Sequence, residues 1–229
     1  MPKQLWTPAY HGAEARGGGP GGGTVHGRDT MSEERISPAE YLVRERAAEY
    51  RSEYRDGRMV AMTGASVAHG IIVWNVGAAL REQMHGRPCM ALMTDMRVKV
   101  AATGVYTYPD VVAFCGEARL EDSQRDTLLN PSVIVEVLSP STESYDRGKK
   151  FEQYRRLESL REYVLIAQDR MRVERYERDE ADPERWRRSI LDRPDAVLEL
   201  AAVGCVIPLS DIYEQVTLGS ATPGAGEGA

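Results

Sequence analysis

The stretch that most constrains this chain is Pro131-Ser132-Val133-Ile134-Val135-Glu136-Val137-Leu138-Ser139-Pro140. A short apolar, β-branched run bounded by prolines reads as a strand buried on both faces. One carboxylate, Glu136, sits inside it. A lone acid in such a strand costs several kcal/mol unless it is paired or binds a metal. An apolar core strand has no structural need of that cost, so Glu136 is the first functional candidate. The plainer alternative is a glutamate that only salt-bridges a neighbouring arginine.

The rest of the chain supplies a setting for that strand. Residues 1–35 are Gly-rich, with Gly17-Gly18-Gly19-Pro20-Gly21-Gly22-Gly23, and are expected to be disordered because they cannot bury enough surface to offset their ordering entropy. Met31, followed by Ser-Glu-Glu, would be a natural start. One domain is expected over 36–216, followed by a featureless Gly/Ala-rich tail at 217–229. Ser37, Pro38 and Glu40 have the spacing of a helix start. Asp56-Gly57 between two alternating runs predicts a hairpin, with Glu53 on its first strand as a solvated residue by default. Ser66 caps a helix to about Met84 whose apolar stripe is Ile72, Val73, Val76, Ala79 and Leu80. His69 falls on that stripe, where a histidine is more often a satisfied core residue than a catalyst.

Strands are expected over Met90–Thr94, Met96–Val100 and Val105–Phe114. Pro109 cannot donate a ladder bond, so the last of these is kinked or begins there, presenting Asp110 at a strand start. After Pro140 a helix carries Lys150, Tyr154 and Leu157 at i, i+4 and i+7, one apolar face that aims Lys150 inward and Lys149 at water. The plainer alternative for Lys150 is a snorkelling lysine paired with Asp146 one turn earlier. A short β-rich end, through Val206-Ile207-Pro208-Leu209, completes the domain.

Composition limits the function classes. The net charge of −6 argues mildly against a dedicated nucleic-acid binder, although the 29 Lys and Arg cluster at Arg147–Arg156 and Arg170–Arg188, where a local basic face could form. No apolar run is long enough to span a membrane, and there is no signal-peptide core. Cys89, Cys115 and Cys205 are distant and odd in number, showing neither metal-ligand pairs nor a disulfide framework, so a reducing cytoplasm is the expectation.

Asp110, Glu136 and Lys150 share a logic: two acids on neighbouring strands and a lysine on the next helix. Two carboxylates with a strand carbonyl, Val137 being the candidate, could supply half of an octahedral Mg²⁺ cage completed by waters and a substrate phosphate. A nearby ammonium could position a metal-bound water or stabilise charge on phosphorus.

Taken in order, Tyr108-Pro109-Asp110-Val111, Val135-Glu136-Val137-Leu138-Ser139-Pro140-Ser141-Thr142 and Tyr145-Asp146-Arg147 with Lys150, Phe151, Tyr154 and Arg155 resemble the Uma-type restriction-endonuclease-like family. This is a branch of the PD-(D/E)XK nuclease superfamily. Glu53, Asp56-Gly57, Met62, Gly64-Ala65-Ser66, His69, Cys89, Asp95-Met96-Arg97-Val98, Ser159-Leu160-Arg161-Glu162-Tyr163 and Trp186 fit it as well. The resemblance runs from about Ser37 to about Tyr213. It implies an α/β (α+β) restriction-endonuclease-like core, a central mixed β-sheet flanked by helices with an N-terminal hairpin. It also implies metal binding by Asp110 and Glu136, with Mg²⁺ or Mn²⁺ as cofactor and DNA as substrate. The superfamily lysine normally stands two residues after the strand acid, where this chain has Leu138. The Uma-type branch moves it to the following helix, which matches Lys150. Glu53 and His69 match positions near the site, and Asp95 matches a position with a structural role under the sheet.

Two other readings stay open on the sequence: a non-catalytic nucleic-acid-binding or interaction module on the same fold, and a nuclease for RNA or structured DNA. Cutting both strands of a duplex asks for two sites, which is compatible with a homodimer, but no interface signal is legible.

Overall fold

The computed structural model describes residues 35–93 and 95–218. The expected Gly-rich leader and most of the expected tail lie outside the described residues. At the C-terminal side, Leu218 still packs against the core, so the packed region extends slightly past the expected boundary.

Helix α1 (Pro38–Ala47) begins at Ser37, whose hydroxyl accepts from Glu40 N at 3.2 Å. The expected hairpin follows as β1 (Ser52–Arg55) and β2 (Arg58–Ala61). Asp56 and Gly57 both have positive φ, 51° and 77°, the primed-turn geometry that Asp-Gly favours because glycine carries no Cβ penalty there. Tyr41, Tyr54 and Tyr106 stack into one aromatic cluster, and the hydroxyls of Tyr41 and Tyr54 donate to the Ser52 and Ile36 carbonyls. That cluster fixes one face of β1, so its opposite face, carrying Glu53, is turned the other way. Helix α2 (Val67–Gln83) is capped by Ser66, which accepts from His69 N at 3.1 Å, a contact of about 1 kcal/mol.

The strands that follow are β3 (Cys89–Met93), β4 (Arg97–Val100), β5 (Val105–Thr107), β6 (Val111–Cys115), β7 (Thr127–Leu128) and β8 (Val133–Leu138). A broken helix comes next: α3 (Glu143–Tyr145), a π-helical turn over Asp146–Lys150, and α4 (Phe151–Tyr154). The chain ends through β9 (Glu162–Ala167), β10 (Val173–Arg178), β11 (Trp186–Leu191), the hairpin β12 (Val197–Leu200) and β13 (Cys205–Pro208), and α5 (Leu209–Ile212).

Strand β8 lies inside a six-stranded mixed sheet of order β11-β10-β9-β8-β6-β3, antiparallel to β6 and parallel to β9. All six of its residues are buried, as the proline-bounded run predicted. Val133, Val135 and Val137 pack against α2, the β12–β13 hairpin and α5, in a cluster with Ile72, Val76, Leu198 and Ile212. Ile134 and Leu138 join the opposite cluster, with Val98, Phe114, Tyr154 and Tyr163. By strand alternation Glu136 belongs to this second face, at a core position between Ile134 and Leu138.

A five-stranded sheet, order β2-β1-β5-β4-β7, carries the hairpin. The expected single strand Val105–Phe114 is therefore two strands in two different sheets. The chain crosses between the sheets at Tyr108-Pro109-Asp110, where proline removes the donor that a continuous ladder would need.

The cysteine expectation needs correcting. Antiparallel pairing of β3 with β6 sets Cys89 opposite Cys115, and the two form a disulfide with sulfurs 1.97 Å apart. Spacing along the sequence could not show this, because strand register decides which residues face each other. The inference of a reducing compartment from unpaired cysteines loses its premise. Cys205 is free and buried, the small core residue expected of it. Among the described residues, no helix is long and apolar enough to cross a membrane.

Candidate active site

Four elements meet at one cleft of about 520 Å³: β1, the N-terminal half of α2, the β5–β6 crossover with the end of β8, and the π turn. Its lining includes Glu53, His69, Asp110, Glu136, Val137, Asp146 and Lys150, so every sequence-derived site residue is present in it.

Lys150 stands at the centre. Its Nζ is 2.9 Å from Glu136 Oε1, 3.2 Å from Glu53 Oε1 and 3.5 Å from Asp146 Oδ1. Lys149 is exposed, as helical geometry predicted. The pairing with Asp146 exists, but it is the longest of the three contacts, so the simple snorkelling pair does not describe this lysine. Burial works to lower the Lys150 pKa, yet Glu136, Glu53 and Asp146 together hold it well above the ordinary ammonium value. The group is therefore a fixed cation.

Glu136 is in the opposite condition. Burial drives its pKa well above the usual carboxylate range; Lys150 pulls it down, while Asp110 and Asp146 push it up again. One lysine does not balance the acids around it. The Tyr154 hydroxyl donates to Glu136 Oε1 at 2.8 Å and lies 3.0 Å from Thr107 Oγ1. Burial and the Glu136 charge keep that phenol protonated, well above its ordinary range. Tyr154 is thus a fixed donor orienting the strand acid. On the sequence it read only as part of the inward face, and the signal was its i+4 spacing from Lys150.

Asp110 projects from the crossover. Its Oδ2 accepts from Val137 N at 2.7 Å and lies 3.2 Å from His69 Nε2. The backbone bond ties the crossover to β8 one residue past Glu136. His69 is therefore a polar partner of Asp110 and not a satisfied core residue. The default reading of Glu53 as solvated is also overturned: it is buried beneath the π turn, because the hairpin's aromatic face is occupied elsewhere. Asp95, in contrast, is exposed and only 3.6 Å from Arg51 Nε, so it lies neither under the sheet nor in the cleft. Asp146 is a site residue that sequence reasoning took only as a partner of Lys150. Arg55 packs over the Tyr145 ring at 4.1 Å and closes one wall.

Two further observations bear on chemistry. Among the described residues, no group of three His, Cys, Asp or Glu side chains forms a metal cage of its own. Two carboxylates with open positions suit Mg²⁺, which demands octahedral oxygen ligands but keeps several waters or substrate phosphates, and do not suit a closed Zn²⁺ site. The donor set is all oxygen, and four carboxylates face Lys150, so a hard cation fits the cleft in both chemistry and charge.

The arginine clusters do not form an open basic face. Arg147, Arg172 and Arg188 converge on Glu174, at 2.6, 3.1 and 2.9 Å. Arg175 contacts Glu162 at 2.8 Å and Glu177 at 2.9 Å, and Arg170 contacts Asp169 at 3.0 Å.

Comparison with known proteins follows the geometry. A solved structure described as "a putative nuclease belonging to DUF820 from Anabaena variabilis" shares the fold, with a TM-score of 0.65 and 19% identity over 80% of this chain and 99% of that one. Two uncharacterized Synechocystis proteins are similar in sequence. One, sll1609, is 36% identical over 143 residues, covering 62% of this chain and 81% of that protein. The other, slr1290, is 33% identical over 180 residues, covering 78% and 92%. Residues 38–210 match the family model Uma2, described as "Putative restriction endonuclease", and the chain belongs to that family.

Proposed function

We propose that the protein is a Mg²⁺-dependent endonuclease that hydrolyses phosphodiester bonds in DNA. The observation that carries this reading is the Lys150 ammonium set among Glu53, Glu136 and Asp146 in the cleft that also holds Asp110. Asp110 and Glu136, with the Val137 carbonyl, are the residues that would hold the cation. When bound, Mg²⁺ neutralises charge on the phosphoryl group and makes a coordinated water acidic enough to attack.

The chain's own groups do the rest. Tyr154 and Lys150 both bond Oε1 of Glu136, which fixes the carboxylate and leaves Oε2 as the donor for the cation. Lys150, held charged, positions the attacking water and stabilises charge that develops on the phosphoryl oxygens. Glu53 and Asp146 keep that ammonium in place. His69 orients Asp110 through Nε2, and the Val137 amide does so from the other side.

The test is nicking or linearisation of plasmid DNA with Mg²⁺ or Mn²⁺. Loss of cleavage is expected in Asp110→Ala and Lys150→Ala, and activity surviving in either variant overturns the assignment. A non-catalytic binding module on this fold would instead show salt-dependent DNA affinity, no cleavage, and no change when the three residues are replaced together.

A further inference from the structure

We propose that Trp74 is a stacking platform for an unpaired nucleobase, so that the cleft acts on single-stranded DNA, or on duplex DNA with an unpaired end, in preference to intact duplex. The proposal rests on the nuclease reading for its chemistry, but its geometry stands apart from the acid cluster.

Trp74 lines the cleft that holds Asp110, Glu136 and Lys150, yet 67% of its surface is exposed. Scattered exposed apolar residues need no explanation. Here, however, a large aromatic stands at the mouth of the candidate reacting centre, with Met62 exposed beside the same opening. Helix α2 presents two adjacent strips to the cleft, His69 with Val73 and Gly70 with Trp74, each pair one turn apart. His69 reaches the acid cluster, so Trp74 flanks the position a scissile phosphate would take.

The two glycines of α2 sharpen the point. Gly77 is required by packing, since a Cβ there would lie 2.2 Å from Met93 Sδ. Gly70 has no such reason: a Cβ would meet nothing within 4 Å. A glycine inside a helix lowers stability relative to alanine, and at position 70 its effect is to keep the surface beside the indole flat and open. A flat planar base fits that space.

Electrostatics point the same way. Proteins that bind duplex DNA through its backbone need cations free to neutralise phosphates. The arginines of β10 and β11 and of the π turn are instead directed at Glu162, Glu174 and Glu177, and the cleft is rich in carboxylates. Stacking on an aromatic ring does not depend on a basic surface and accepts any base.

The experiment is fluorescence anisotropy with labelled oligo-dT and a blunt duplex of equal length, in Ca²⁺, comparing the wild-type chain with Trp74→Ala, Trp74→Phe and Gly70→Leu. The wild type is expected to bind oligo-dT more tightly than the duplex. Trp74→Ala is expected to raise the oligo-dT Kd about 10-fold or more and leave the duplex Kd unchanged, while Trp74→Phe keeps most of the affinity. Gly70→Leu is expected to weaken oligo-dT binding while raising the melting temperature, an outcome that misfolding cannot mimic. Equal or tighter duplex binding by the wild type, an unchanged oligo-dT Kd in Trp74→Ala, or no oligo-dT binding at all would overturn the proposal. Because binding is read without cleavage, a protein that binds oligo-dT through Trp74 but cuts no DNA keeps the platform and removes only the nuclease reading.

Discussion

Glu136 and Glu174 are the same residue type on neighbouring parts of one sheet, both almost fully buried, and their charges are handled in opposite ways. Burial pushes both upward. At Glu174 three guanidiniums more than reverse the effect, and its pKa falls below the usual carboxylate range. At Glu136 a single lysine is shared with Glu53 and Asp146, and the pKa stays well above that range. The same π turn serves both, sending Lys150 to Glu136 and Arg147 to Glu174. Burial of an acid is therefore not the mark of a functional carboxylate. The mark is burial that the chain's own cations leave uncompensated, which invites an external cation.

The largest test of that contrast is catalytic. Glu136→Gln keeps the shape of the side chain but removes its charge. It is expected to reduce Mg²⁺-dependent plasmid cleavage by about 10³-fold, on the order of 4 kcal/mol in the barrier. Glu174→Gln should leave the rate per folded molecule nearly unchanged. Equal losses in the two variants would erase the distinction.

Metal linkage is the second test. Saturating Mg²⁺, at about 100 times its dissociation constant, should stabilise the wild type by roughly 2.7 kcal/mol, a rise of about 5–10 °C in midpoint for a chain of this size. Calorimetry against EDTA checks this. The rise should vanish in Glu136→Gln and persist in Glu174→Gln, and an EDTA-insensitive wild-type midpoint would count against a metal site.

Third, the structural cost should fall on the other residue. Glu174→Gln leaves Arg147, Arg172 and Arg188 facing a neutral amide. Those arginines are a quarter to a half exposed, so screening limits the loss to about 2 kcal/mol by chemical denaturation. Glu136→Gln in EDTA should lose less than this. The reverse order would mean that Glu136, not Glu174, is the better-compensated acid.

The smallest effect concerns pH. The folded pKa of Glu174 lies below its ordinary value of 4.5. Its stabilisation is therefore present above that value and lost as pH falls through the folded one. Thermal midpoints measured from about pH 5 to about pH 3 should drop less steeply in Glu174→Gln than in the wild type. Parallel slopes would assign the acid limb to other groups.

Much of this was legible in the sequence because it is local. The proline-bounded strand, the Ser37 and Ser66 caps and the Asp56-Gly57 turn are set within a few residues, and the inward aim of Lys150 follows from helical spacing. What was not legible depends on which elements pack together. Glu53 looks solvated until the hairpin's tyrosine face is seen to be filled, which turns the glutamate under the π turn. The arginine clusters look basic until β10 and β11 bring glutamates to them. Cys89 and Cys115 are remote until β3 pairs with β6. A strand's register and a hairpin's docking angle are long-range properties, and no short window of residues contains them.

The π turn at Asp146–Lys150 carries a consequence for how such a site can change. An α-helix advances each residue by about 100°, so one residue inserted or removed rotates everything beyond it by that amount. A wide turn absorbs such an offset inside the helix. Gly148 lies within it, where an added Cβ would meet nothing within 4 Å. Deleting Gly148 would exchange no reactive group, yet it would rotate Asp146 and Lys150 out of phase with each other. For this chain the lysine's place is a matter of angular register, and shifts in length along the helix are the changes to which the site is most exposed.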